Sequence, residues 1–170
     1  TNPPKSIPPY AKEIDSPLTP IKKGYKGEIG LEGITQKLNA AVAIKAIEKL
    51  CCRFPVSNDM IPDGVKKARI VARFEKIPVG DKIIVLDVAH NPEAVKTLVN
   101  TLSASPMETV AIFSALADKN IDDMIELASD TIKQWFLVPL SADRAIQIEA
   151  LENKFSKSQV TTVCLKKEQS

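Results

Sequence analysis

Twelve consecutive residues constrain this chain more than any others: Ile83-Ile84-Val85-Leu86-Asp87-Val88-Ala89-His90-Asn91-Pro92-Glu93-Ala94. Four branched apolar residues in a row predict a short strand buried on both faces, as in a parallel sheet covered by helices. A helix is predicted directly after it. Asn91 suits an N-cap, Pro92 the first helical turn, and Glu93 the positive end of the helix dipole. Ala94, Val95, Leu98, Val99 and Leu102 then recur at helical spacing, giving a stripe that can lie on a sheet. The turn between strand and helix thus carries Asp87 and His90, the single histidine of the chain. In an open parallel sheet, loops at the carboxyl ends of strands are where ligands bind.

The alternation continues toward the carboxyl end. Residues 110–113 read as a strand, and Ile121, Met124, Ile125, Ala128 and Ile132 mark a helix. Residues 135–138 read as a strand, 144–155 as a helix and 160–164 as a final strand. This rhythm predicts right-handed crossovers and one α/β layer stack over residues 72–165. The expected fold is a Rossmann-like, mostly parallel sheet with helices on both faces and Val85 and Leu86 on a central strand.

Upstream, prolines at 3, 4, 8, 9, 17 and 20 predict an irregular tail over residues 1–20. Gly24, Gly27, Gly30 and Gly33 follow at intervals of three, but no GxxxxGK[ST] phosphate loop results. Lys37 has no Ser or Thr behind it, so short strands and turns are expected there. From Thr35, apolar residues on most of two faces predict a well-buried helix, with Asn39 near its start. Residues 59–70 read as a shorter helix, residues 69–78 turn extended, and Gly80-Asp81 supplies a turn into the strand at 83–86.

The bulk numbers exclude several functions. With 23 Lys and Arg against 21 Asp and Glu, the net charge of +2 is no nucleic-acid footprint. No apolar run has the length of a transmembrane helix, so no membrane partner is expected, and the amino end lacks a signal-peptide pattern. Three cysteines, two of them adjacent (Cys51, Cys52), match neither a disulfide framework nor a zinc spacing. They point to a reducing compartment, cytoplasm or mitochondrion. The absence of GxGxxG argues against a classical NAD site.

Single residues leave alternatives open. Asp87 can accept two hydroxyls or bind a cation, or equally cap the following turn. His90 can be a base or a ligand contact, although spacing alone favours an ordinary loop residue. Arg73 can neutralise phosphate through its planar fork or be one more solvated cation. Asp118-Lys119-Asn120 reads as a functional loop or a helix entry, Arg144 as a site residue or a first-turn residue, and Asn39 as a structural early-helix Asn.

Together, these residues resemble a known family. Ala72-Arg73-Phe74-Glu75 followed by Leu86-Asp87-Val88-Ala89-His90-Asn91-Pro92-Glu93-Ala94 is similar to the carboxyl-terminal domain of folylpolyglutamate synthase and bacterial dihydrofolate synthase, within the wider Mur ligase group. Gly33-Ile34-Thr35-Gln36 with Asn39-Ala40-Ala41 resembles the family's Gly-x-His-Gln and Asn-Ala-Ala. Ser114 to Asn120 resembles its Gly-x-x-x-Asp-Lys-Asp loop, and Arg144-Ala145 its Arg-Ala helix start. Thr35 stands in place of His, Val71-Ala72 of Pro-Gly and Ser114 of Gly.

The resemblance implies an ATP-dependent amide ligase with folate and L-glutamate as its other substrates. ATP would phosphorylate a folate carboxylate, and glutamate's amine would attack the acyl phosphate. Asn39, Arg73 and Asp87 match positions that touch ATP, while His90 belongs to the motif without an assigned role. Mg2+ would be bound mainly by a P-loop domain, with no metal ligand in this chain. The expected organisation is a tail and the end of a central ATP-binding domain over residues 1–70, then a carboxyl-terminal α/β domain over 71–170. Without a P-loop, and starting at Thr1, the chain reads as a fragment that is not competent alone. The competing readings are a ligase of cell-wall precursors and a non-catalytic nucleotide- or protein-binding module.

Overall fold

The computed structural model describes residues 4–33, 35–104, 107–158 and 160–165. Residues 1–3 of the expected tail and Ile34 of the Gly-x-His-Gln-like segment lie outside the described residues. The chain divides into two compact units: Thr1–Gly30 with Thr35–Ala68, and Leu31–Ile34 with Arg69–Ser170.

The first unit is helical: α1 (Ile7–Glu13), α2 (Gln36–Leu50) and α3 (Met60–Lys67). The expectation of an irregular tail fails at α1. Pro8 and Pro9 fall in its first turn, where a missing N–H has no helical partner to lose and the fixed φ fits the helix. Expected burial fails at α2, which has no fully buried residue and leaves Val42 exposed. Among the described residues this unit holds no strand, so the helix has no sheet on which to spend two apolar faces. The Gly24–Gly33 stretch is likewise not strand but bends. Tyr25 N–H donates to the Lys37 carbonyl (2.8 Å) and Gly30 N–H to that of Val65 (3.0 Å), tying it to α2 and α3. α3 ends at Lys67, short of the expected Ile70, with Pro62 in its first turn and an Asp63–Lys67 ion pair of 2.8 Å one turn apart.

In the second unit, β1 (Glu75–Val79) and β2 (Lys82–Leu86) form an antiparallel hairpin, with Glu75 opposite Leu86 and Val79 opposite Lys82. Gly80, at φ 61°, takes the left-handed conformation that the two-residue turn needs. This corrects the reading of residues 83–86 as a central, doubly buried parallel strand. Ile84 is 48% exposed, and Ile83 and Leu86 are exposed too. A run of four apolar residues carries no strand direction, and the turn at Gly80-Asp81 folds the chain back on itself. Pro78, which has no N–H to donate, marks β1 as an edge.

After α4 (Pro92–Ser103) come β3 (Val110–Phe113), α5 (Ile121–Ala128), β4 (Gln134–Leu137), α6 (Ile148–Phe155) and β5 (Thr161–Cys164). β3, β4 and β5 form a parallel sheet in that order, with Phe113, Leu137 and Cys164 in register. The fold is α/β, as expected, but the single layer stack is divided into a two-stranded and a three-stranded sheet. Among the described residues, one face of the parallel sheet is packed and the other is open. Ala111, Phe113, Trp135, Leu137 and Cys164 face the packed core, whereas Ile112 on the opposite face is 75% exposed. Residues of α5 and α6 share one core on the packed face, as two crossovers of the same hand stepping in the same direction along a sheet require.

The core lies between that face and the helices. Ile121, Met124, Ile125 and Ala128 are all buried, one stripe at i, i+3, i+4 and i+7. Trp135 packs on Phe155 with ring centroids 5.1 Å apart and receives Phe113 edge-on at 5.5 Å. Its indole N–H donates to the Ile132 carbonyl at 2.9 Å, so the buried ring leaves no orphaned donor. The expected 144–155 helix begins only at Ile148. Ala117 N–H donates to the Arg144 carbonyl (2.8 Å) and Ile146 N–H to that of Ala115 (3.1 Å), a short antiparallel bridge that occupies this backbone.

Candidate functional site

Asp87 follows the last residue of β2, and both its oxygens are engaged. Oδ2 accepts from Phe74 N–H and Oδ1 from Ala89 N–H, each at 2.8 Å. The second bond is the local turn cap that sequence allowed; the first spans thirteen residues and joins two loops. A carboxylate has about four acceptor sites, so Asp87 keeps capacity for a hydroxyl.

The loop it holds has an unusual backbone. Ala72 (φ 55°) and Phe74 (φ 50°) both adopt the left-handed conformation although neither is glycine, and Arg73 lies between them. Glu75 Oε2 accepts from Ala72 N–H (2.9 Å), and the Ala72 carbonyl accepts from Val88 N–H (3.0 Å). The Phe74 ring is buried with the Lys76 ammonium 5.3 Å from its centroid, and Lys76 pairs with Glu32 at 2.6 Å. Arg73 is exposed, and no hydrogen bond or ion pair joins its guanidinium to another described residue. A cation presented this way is available to an anion.

Next along the chain, His90 Nδ1 lies 2.9 Å from the Val88 carbonyl. Because a carbonyl only accepts, Nδ1 is the donor in this contact. Asn91 caps α4 as expected, in an extended conformation (φ −149°), with Oδ1 accepting from Ala94 N–H at 2.9 Å. Asn39 belongs to the first unit, exposed near the start of α2, and donates to Gln36 Oε1 at 3.1 Å.

The structure also joins two motifs that are weak singly. Asp118 Oδ2 accepts from Lys119 Nζ (3.1 Å) and lies 3.5 Å from Arg144 Nη1. The Lys119 hydrogen bond chiefly holds the Asp118 carboxyl below its usual value, with the Arg144 charge acting in the same direction. At the start of this loop the Ser114 hydroxyl oxygen is buried with no hydrogen-bond partner among the described residues. Sequence reasoning gave no role to Glu75, whose only signal was its place in the Arg-Phe-Glu run. Among the described residues no three His, Cys, Asp or Glu side chains gather as metal ligands, so these residues do not fit a metal ion.

The second unit thus carries an arginine loop with two left-handed residues, bonded to Asp87 after β2, and a parallel sheet further along the chain. Residues 72–169 match the Mur ligase, glutamate ligase domain, and the chain belongs to that family. Among similar proteins, the dihydrofolate synthase/folylpolyglutamate synthase of Escherichia coli is 30% identical over 115 residues, 66% of this chain and 26% of that protein. The Mycobacterium tuberculosis folylpolyglutamate synthase complexed with ADP and AMPPCP superimposes with a TM-score of 0.77 at 19% identity, over 92% of this chain and 42% of that one. A bifunctional folylpolyglutamate synthase/dihydrofolate synthase with Mn, AMPPNP and L-glutamate bound gives 0.76 at 23% identity, over 95% and 42%. The chain thus spans about a quarter of the first of these and under half of each solved chain.

Proposed function

We propose that these residues form the carboxyl-terminal part of an ATP-dependent ligase that adds L-glutamate to folates, with Arg73, Asp87 and Asn39 toward the nucleotide. The observation that carries this reading is the Arg73 guanidinium, exposed and without a described partner, in a loop clamped to Asp87. Its support is the family match together with the nucleotide and glutamate named for the similar structures. Under this reading the division of labour follows residue chemistry. Arg73 pairs with phosphate oxygens through its planar fork. Asp87 accepts a ribose hydroxyl on the capacity its two amide bonds leave, and the Asn39 side chain has an amide N–H to donate and an oxygen to accept with.

In the reaction, the folate carboxylate takes the terminal phosphoryl group as the phosphoanhydride bond breaks and ADP leaves. Glutamate's amine then displaces phosphate from the acyl carbon and gives up a proton. Mg2+ finds no cage among the described residues, and no step is assigned to it here. With no GxxxxGK[ST] run in the 170 residues, they turn over no ATP alone. Cys51, Cys52 and Cys164 are not joined in disulfides, which suits a reducing compartment such as the cytoplasm.

Calorimetric titration of ADP into the 170-residue chain and its Arg73→Ala variant tests the reading. A charge-assisted hydrogen bond is worth about 1.5–3 kcal/mol, so the variant should bind ADP roughly ten- to hundredfold more weakly. Equal affinity in the two proteins would refute the assignment of Arg73.

A further inference from the structure

We propose that Glu75 is a positioning residue: it holds Arg73 in its phosphate-facing setting and does not itself touch the nucleotide. The proposal rests on the reading of Arg73 given above. Two departures from ordinary backbone on either side of Arg73, Ala72 at φ 55° and Phe74 at φ 50°, set the direction in which its side chain leaves the loop. Residues other than glycine hold such conformations only when their surroundings over-determine them. On the carboxyl side of Arg73, Phe74 is held twice, by its buried ring and by the bond from its N–H to Asp87. On the amino side, Ala72 has only a methyl side chain, and its carbonyl is held by Val88 N–H at 3.0 Å. Its N–H donates to Glu75 Oε2 at 2.9 Å, the one side-chain bond to Ala72 among the described residues. Glu75 is in turn fixed at the first position of β1, opposite Leu86.

The charge of Glu75 supports the same role. A carboxylate two residues from an arginine could pair with it and cancel the cation. Here its Oε2 is directed to a backbone amide instead, and no ion pair joins the two side chains. The guanidinium stays available to an anion, while the charge-assisted bond to the amide stiffens the loop that carries it.

A double-mutant cycle on ADP affinity, measured with the 170-residue chain, tests this. Glu75→Ala should weaken ADP binding about three- to tenfold, the scale of one intramolecular hydrogen bond, and should have no effect in the Arg73→Ala background. Glu75→Gln, which keeps an acceptor oxygen, should stay within about twofold of the parent. An equal loss in both backgrounds, or no loss with Arg73 present, overturns the proposal while leaving the role of Arg73 intact. An unchanged ADP affinity in Arg73→Ala, or no ADP binding by the parent chain, removes the underlying reading and this one with it. Should Glu75→Ala fail to fold, the cycle is run in an Ala72→Gly background, where glycine accepts the left-handed conformation without a Cβ.

Discussion

Ala72→Gly should stabilise the second unit, a reversal of the usual effect of this substitution. At φ 55° the alanine Cβ crowds the following carbonyl, which costs about 1–2 kcal/mol relative to glycine. Against this stands the extra freedom that glycine gives the unfolded chain, roughly 0.4–1 kcal/mol. The balance favours the variant by about 0.5–1 kcal/mol, which for a unit of this size raises the melting temperature by about 3–6 °C. The contacts made by the Ala72 backbone, to Glu75 and Val88, involve no side-chain atom of Ala72 and survive the change. Thermal and urea melts of the two proteins, followed by circular dichroism and by Trp135 fluorescence, measure the difference. Ala150→Gly is the control: this exposed alanine sits in the right-handed backbone of α6, and its loss should cost about 0.8–1 kcal/mol. If Ala72→Gly destabilises as much as the control, the left-handed loop around Arg73 is wrong.

The two faces of the parallel sheet should respond differently: Leu151→Ala, at a fully buried position of α6, should cost about 3–5 kcal/mol in urea melts. Ile112→Thr, on the exposed face, should stay within about 0.5 kcal/mol. Asp122 accepts from Lys154 Nζ at 2.6 Å, and that bond holds its carboxyl below the usual value. A carboxyl lowered on folding stabilises the protein above its unfolded pKa and loses that contribution as pH falls through the folded value. Stability curves of the parent chain and Lys154→Met should therefore differ at neutral pH and converge in acid below the carboxylate range; a constant gap would mean that the ion pair is not the cause.

What sequence conveyed depended on how local each cause is. The Asn91 cap and the α5 stripe were legible because both are decided within a few residues. The partner of β2 was not, since Ile83-Ile84-Val85-Leu86 suits a parallel or an antiparallel neighbour, and the decisive Gly80-Asp81 turn was read only as an entry to the strand. The prolines at 8 and 9 read as breakers because their meaning depends on where the helix starts. At the candidate site, Asp87 was recognised both as a turn cap and as a ligand group, but its bond to Phe74 links residues thirteen apart. Nothing in Ala72-Arg73-Phe74 announces two left-handed residues, because no glycine is present to mark them. The convergence of Lys119 and Arg144 on Asp118 follows from β3 and β4 being neighbours, a fact of topology that spacing does not contain.

A crystal structure of the 170-residue chain with ADP bound tests the central claim most directly. The prediction is a diphosphate oxygen within hydrogen-bond reach of the Arg73 guanidinium, and a ribose hydroxyl donating to Asp87, with the Glu75–Ala72 and Asp87–Phe74 bonds still in place. ADP bound elsewhere, with the loop at residues 72–75 untouched, would contradict it.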